Sequence, residues 1–143
     1  MAINKKVSLK IITPDGTFWN KPVDIVTLKT TEGYIGLQHG KSPFVASLDI
    51  AELTINKKGS NEYKDCAIAG GIVIASKEKV EIITDAIEFK GDIDVKRAQK
   101  AKNLAEKAIQ TKRSEAEYMN ASLALKRALN RIQIKQTLQD KKK

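Results

Sequence analysis

Glycine and proline stop abruptly in this chain. All eight glycines and all three prolines lie at or before Gly91 in a sequence of 143 residues, and residues 92–143 contain neither. Glycine adopts backbone angles that other residues avoid, and proline lacks the N–H that a helix interior uses. A stretch full of turns is therefore followed by one with nothing to interrupt a helix, which predicts two domains, 1–91 and 92–143. Charge divides at the same place. Residues 1–91 carry 12 basic residues against 11 acids, whereas residues 92–143 carry 14 against 6, so +8 of the net +9 belongs to the second domain.

Several function classes are excluded early. An apolar fraction of 41% supports a core, and 30% charge is high but not extreme, so a folded rather than a disordered chain is expected. No apolar run approaches the roughly 18–20 residues of a membrane span. The first six residues lead straight into alternating residues with no signal core, so the expectation is a protein that stays where it is made. Cys66 is the single cysteine, set among Ala67, Ile68 and Ala69, and reads as a small buried apolar group. With one histidine, His39, a histidine-rich metal site is impossible. No Gly-x-Ser-x-Gly elbow, P-loop or Gly-x-Gly-x-x-Gly occurs. The residues offer no catalytic constellation and no metal site, and the chain is expected not to be an enzyme.

The first domain reads as β. Val7, Leu9 and Ile11 alternate with Ser8 and Lys10, the period of a half-buried strand, and Pro14-Asp15-Gly16 follows as a turn. Further strands are expected at Val23–Leu28, Ala51–Ile55, Cys66–Ala69, Ile72–Ala75 and Val80–Thr84. Short antiparallel strands at this density predict a sandwich or flattened barrel. The second domain reads as two short helices. Ala98, Ala101, Ala105 and Ala108 form one stripe, and Ala121, Ala124, Leu125, Ala128 and Ile132 form another, with a break near Thr111–Ser114. Facing stripes predict an antiparallel hairpin. Alanine buries little area, so such a seam is held far less tightly than one of Leu or Ile, each worth roughly 1.5–3 kcal/mol. The physics permits the hairpin to open.

A set of motifs runs through nearly the whole chain: Thr13-Pro14-Asp15-Gly16-Thr17-Phe18, Thr31-Glu32-Gly33-Tyr34-Ile35-Gly36-Leu37, Ala69-Gly70-Gly71, Ile82-Ile83-Thr84-Asp85-Ala86, Ile93-Asp94-Val95-Lys96-Arg97-Ala98 and Leu123–Arg131. In this order and spacing the sequence resembles the epsilon subunit of bacterial and chloroplast F-type ATP synthases, over about residues 7–134. The resemblance implies an α+β protein, with a flattened antiparallel β-sandwich of about ten strands followed by a two-helix hairpin. It implies a non-catalytic central-stalk subunit at the cytoplasmic face of the membrane, peripheral and without insertion. The sandwich would bind the gamma subunit and the rotor c-ring. The hairpin would reach the alpha and beta catalytic subunits and inhibit ATP hydrolysis when extended.

The resemblance implies no required cofactor, and offers ATP as a regulatory ligand that holds the hairpin down. The family's nucleotide motif maps onto Asp94, Arg97 and Ala98, and its other contacts onto Glu88, Arg127 and Arg131. A cation that ATP-binding relatives carry in the first helix falls on Leu104. In the ring-facing loop, Lys41 stands where the family has histidine and His39 where it has proline, while Tyr34 replaces a frequent acid. Composition bears on the site separately. The chain has 22 Lys and only 4 Arg, all four after residue 91. Arginine presents a planar fork for phosphate or carboxylate that lysine cannot reproduce, and Arg127 and Arg131 share a helix face at i,i+4. The alternative is ordinary ion pairing with Glu88, Asp94, Glu115 or Glu117. Two other functions remain beside the leading one, namely an epsilon-like subunit of another rotary assembly and a basic nucleic-acid-binding module. The second is opposed by Tyr118 being the only aromatic after residue 91, which leaves no stacking platform.

Overall fold

The computed structural model describes residues 5–141. The chain separates into two compact units, with the division between Phe89 and Lys90. The first unit holds eight strands: β1 (Val7–Thr13), β2 (Gly16–Val23), β3 (Val26–Thr30), β4 (Gly33–Leu37), β5 (Phe44–Ile55), β6 (Lys64–Ala75), β7 (Lys79–Ile83) and β8 (Ile87–Phe89). They pair in the order β2-β1-β7-β6-β5-β3-β4, with β8 also on β6. Every pairing is antiparallel except β1 with β7, which run parallel in a register that sets Leu9 beside Val80 and Ile11 beside Ile82. All four of these side chains are buried, so the parallel pair contributes two matched rows to the core.

Eight strands occupy the segment expected to give about ten because β5 and β6 are each 12 residues long. Each behaves as two strands joined at a bend. In β6 the residues of the main core cluster are Cys66 and Ile68 in the first half, where the small Ala67 is buried as well, then Val73 and Ala75 in the second. In β5 they are Leu48, then Ala51, Leu53 and Ile55. The inward parity changes from even to odd in both strands at the same level. Side chains alternate faces along a strand, so a change of parity means that the core-facing side itself has changed. Gly70 and Gly71 lie at this switch in β6, with φ of +86° and +130°. At Gly71 a Cβ would fall 2.2 Å from the Ile83 carbonyl oxygen, so only glycine lets β7 approach there.

Strands β2 and β4 end the sheet path. Pro22 lies in β2 opposite Ser8, where an edge strand tolerates its missing donor. Asn56, the one non-glycine residue with positive φ (66°) among those described, closes β5. Its side-chain oxygen accepts from the Asp24 N–H at 2.8 Å and its amide donates to the Glu62 carbonyl at 3.0 Å, ties that hold it in the left-handed region.

The second unit begins with a 3-10 turn at Lys90–Asp92, followed by α1 (Val95–Gln110) and α2 (Glu115–Lys141). Asp94 caps α1 from an extended conformation, its carboxylate accepting from the Arg97 N–H at 3.2 Å. Thr111 closes α1 through its N–H and hydroxyl, both to the Lys107 carbonyl. Ser114 then opens α2 by accepting from the Glu117 N–H at 3.2 Å, while the Glu117 carboxylate accepts from the Arg113 N–H at 2.9 Å. These four linking residues turn the chain back into an antiparallel hairpin.

The helices are unequal, which corrects the expectation of two short ones. α2 runs for 27 residues, or about 40 Å at 1.5 Å per residue, because no breaker interrupts it after Ser114. The seam is also narrower than the sequence stripes suggested. Ala98, Ala105, Ala121 and Ala128 are buried, whereas Ala108 and Ala124 are exposed.

Candidate functional site

The residues expected to hold a nucleotide fall into three groups. Asp94 and Arg97 meet at the first turn of α1, where the contact is between the carboxylate and the Arg97 backbone. That leaves the exposed Arg97 guanidinium to project from the helix start, beside the buried Ala98. Arg127 and Arg131 are half-buried on one face of α2, a single turn apart. Ala98 and Ala128 lie about equally far from the connecting loop on opposite helices, so Arg97 and Arg127 stand at about the same level of the hairpin. Glu88 belongs to the first unit, on β8 in register with Ala67. Leu104, on α1, is 64% exposed and supplies no charge.

One contact of this unit was missed from the sequence. The Lys135 ammonium donates to the Lys90 carbonyl at 3.1 Å and to the Gly91 carbonyl at 3.4 Å. The Lys90 carbonyl also accepts from the Ile93 N–H. The far part of α2 is thereby tied to the turn that starts the unit. No spacing rule would have found this, since the partners are 45 residues apart.

The first unit presents an apolar surface that was also missed. Val45, Ile72, Ile74 and Ile83 are between 43% and 69% exposed. Val45 is in register with Ile74, and Ile72 with Ile83, so the four form one outer patch across β5, β6 and β7. An unbroken Ile72–Ala75 run reads as a strand buried on both faces, and only the parity of Val73 and Ala75 shows which residues point outward. Large exposed patches of this kind mark interaction surfaces.

In the loop before β5, Gly40 has φ of +94° and its N–H donates to the Lys77 carbonyl at 2.8 Å, so the turn is kept with Lys41 exposed beside it. Tyr34 is 57% exposed on β4 with the Lys29 ammonium 5.9 Å from its ring centre. Burial of its hydroxyl, and then the nearby Glu52 carboxylate, push its pKa above the ordinary value. Among the described residues, no helix is long and apolar enough to cross a membrane, and no group of His, Cys, Asp and Glu is placed to hold a metal ion.

Known proteins similar to this chain share both units. Residues 6–90 match the family described as the beta-sandwich domain of the ATP synthase delta/epsilon chain, and residues 92–136 match the long alpha-helix domain of the same chain. A protein of Mycoplasma mobile described as an ATP synthase epsilon chain is 46% identical over 131 residues, covering 91% of this chain and 93% of that one. Its counterpart in Mycoplasmopsis pulmonis is 42% identical over 130 residues, covering 90% and 92%. Among solved structures, a chain of the Euglena gracilis mitochondrial ATP synthase superposes with a TM-score of 0.71 at 24% identity, covering 88% of this chain and 79% of that one, a likeness of fold alone. With both halves matched in order and relatives aligned over nearly their full lengths, the chain belongs to the ATP synthase delta/epsilon family.

Proposed function

We propose that this chain is a non-catalytic central-stalk subunit of an F-type ATP synthase, working peripherally at the cytoplasmic face of the membrane. Its sandwich binds the gamma subunit and the c-ring, coupling proton translocation to ATP synthesis. The observation that carries this reading is the division of labour between the units. One is a rigid sandwich with an outer apolar patch of Val45, Ile72, Ile74 and Ile83. The other is a basic hairpin whose buried helix residues are four alanines and one larger side chain, Ile134. The patch suits a permanent partner such as gamma. The seam suits a structure that separates and re-forms, because alanine contacts contribute so little per residue.

In this proposal the hairpin inhibits ATP hydrolysis when extended toward the alpha and beta subunits, and ATP is a regulatory ligand that favours the folded hairpin. Asp94, Arg97, Ala98, Arg127 and Arg131 carry that response, supported by three guanidiniums placed on neighbouring turns of α1 and α2. The test is truncation after residue 91. The shortened chain should still assemble with gamma while hydrolysis by the complex rises; unchanged hydrolysis removes the inhibitory role. ATP titration of the intact protein, read by a distance probe across α1 and α2, tests the sensing role. Arg97→Lys and Arg131→Lys should weaken a response that depends on the planar fork, because the charge stays and the geometry goes.

A further inference from the structure

Six of the 12 lysines in residues 1–91 gather at one end of the sandwich: Lys5, Lys6, Lys21, Lys57, Lys58 and Lys64, all exposed. Asp24, Glu62 and Asp65 lie at the same end, and the lysines outnumber them, so this end is positive on balance while the whole segment is nearly neutral. Here lies a pocket of about 370 Å³ whose lining includes Lys6, Lys21, Lys64, Trp19, Asn56 and one carboxylate, Glu62.

The pocket has an aromatic floor. The Lys21 ammonium lies 4.9 Å from the centre of the Trp19 ring, and that of Lys64 lies 5.9 Å from the centre of Phe89. Trp19 and Phe89 meet edge to face at 6.3 Å, which brings the two lysine-bearing rings together. The indole is fixed by its N–H, which donates to the Lys21 carbonyl at 3.2 Å. Asn56 fixes the wall by bonding to Asp24 on one side and Glu62 on the other. The third cation, Lys6, reaches the Glu62 carboxylate at 3.9 Å, with both side chains well exposed. Such a pair is worth little, and a better anion would displace it.

We infer that this pocket binds a phosphate group. Three ammonium groups around one cavity exceed what a single carboxylate could neutralise, whereas a phosphate brings up to two charges and several acceptor oxygens. Lysine serves phosphate as a point charge, without the bidentate geometry that arginine requires. The cavity is open, so the phosphate can belong to a small soluble ester or to a phospholipid headgroup. The site is separate from the nucleotide response proposed for α1 and α2, and stands or falls independently of it.

Trp19 is the only tryptophan, so its emission reports directly on the pocket floor. The full-length protein is titrated with inorganic pyrophosphate at constant ionic strength, and in parallel with vesicles of phosphatidylglycerol against vesicles of phosphatidylcholine. A saturable change with pyrophosphate assigns the site to soluble phosphates. A change with phosphatidylglycerol alone assigns it to headgroups. In either case Lys6→Ala combined with Lys64→Ala, which leaves the Lys21–Trp19 stack in place, weakens binding at least tenfold, and Lys41→Ala, outside the pocket, does not. The inference is overturned if neither probe gives a saturable change, if sodium chloride at the same ionic strength reproduces it, or if the double variant binds as tightly as the original protein.

Discussion

Replacing Gly71 with alanine tests the bend that makes two layers from one path of strands. Gly71 sits at φ +130°, and its missing Cβ would fall 2.2 Å from the Ile83 carbonyl oxygen and 3.1 Å from both the Ile83 carbonyl carbon and the Thr84 Cα. All three are backbone atoms, so no side chain can swing aside. Gly16 provides the control, since its φ of +125° is almost the same and nothing lies within 4 Å of its Cβ position. Backbone strain alone costs about 1–3 kcal/mol in this region. Gly71→Ala adds displacement of β7 from β6, an overpacking cost of about 1–3 kcal/mol. The expected gap between the two variants is about 2 kcal/mol, or roughly thirtyfold in the folding equilibrium. Gly70→Ala, with φ +86° and its closest approach a 3.3 Å contact to the Leu48 carbonyl oxygen, should resemble Gly16→Ala more than Gly71→Ala. Urea unfolding followed at Trp19 measures all three. Equal destabilisation of Gly16→Ala and Gly71→Ala would refute the close-approach argument.

Three further outcomes are expected. Burial pushes the Cys66 thiol up to about 12 from 9.0, and burial also raises the Tyr63 hydroxyl to about 12 from 10.0. Both groups keep their protons in the folded state after the unfolded chain has lost them, so this stability is complete below pH 9 and declines as pH rises from 9 toward 12; a urea midpoint that stays flat over that window contradicts it, as does rapid alkylation of native Cys66 at pH 8. Asp94→Ala removes the cap on the Arg97 N–H and should destabilise α1 by about 1 kcal/mol, with Asp94→Asn recovering most of the loss; helicity on thermal melting reads both. Lys135→Met keeps the apolar stem and removes the bonds to Lys90 and Gly91, so amide exchange in the last turns of α2 should speed up several-fold while α1 is unaffected.

The candidate site was legible where it is local. Asp94 and Arg97 are three residues apart, and a residue at that spacing from a helix start meets the cap by geometry alone. Arg127 and Arg131 share a face for the same kind of reason. Lys135 could not be found this way, because its partners are carbonyls brought near by the return of α2. The apolar patch was hidden for another reason. Val73 and Ile74 are equally apolar, and composition cannot say which one faces water.

What the sequence by itself determined is the division of the chain: turns and strands up to Gly91, uninterrupted helix beyond it, and a hairpin with a weak alanine seam. Those properties depend on backbone preferences and on spacings within a few residues. Tertiary structure decided the rest. It recruited β2, β4 and β8, whose own patterns are weak, as edge or short strands beside stronger neighbours. It paired β1 with β7 in parallel across a long separation. It also switched the buried parity midway through β5 and β6, since a strand that passes between layers must exchange its inner face for its outer one. The physical reason is range: torsional preference acts over a few residues, whereas burial is settled only by which distant segment arrives to cover a side chain.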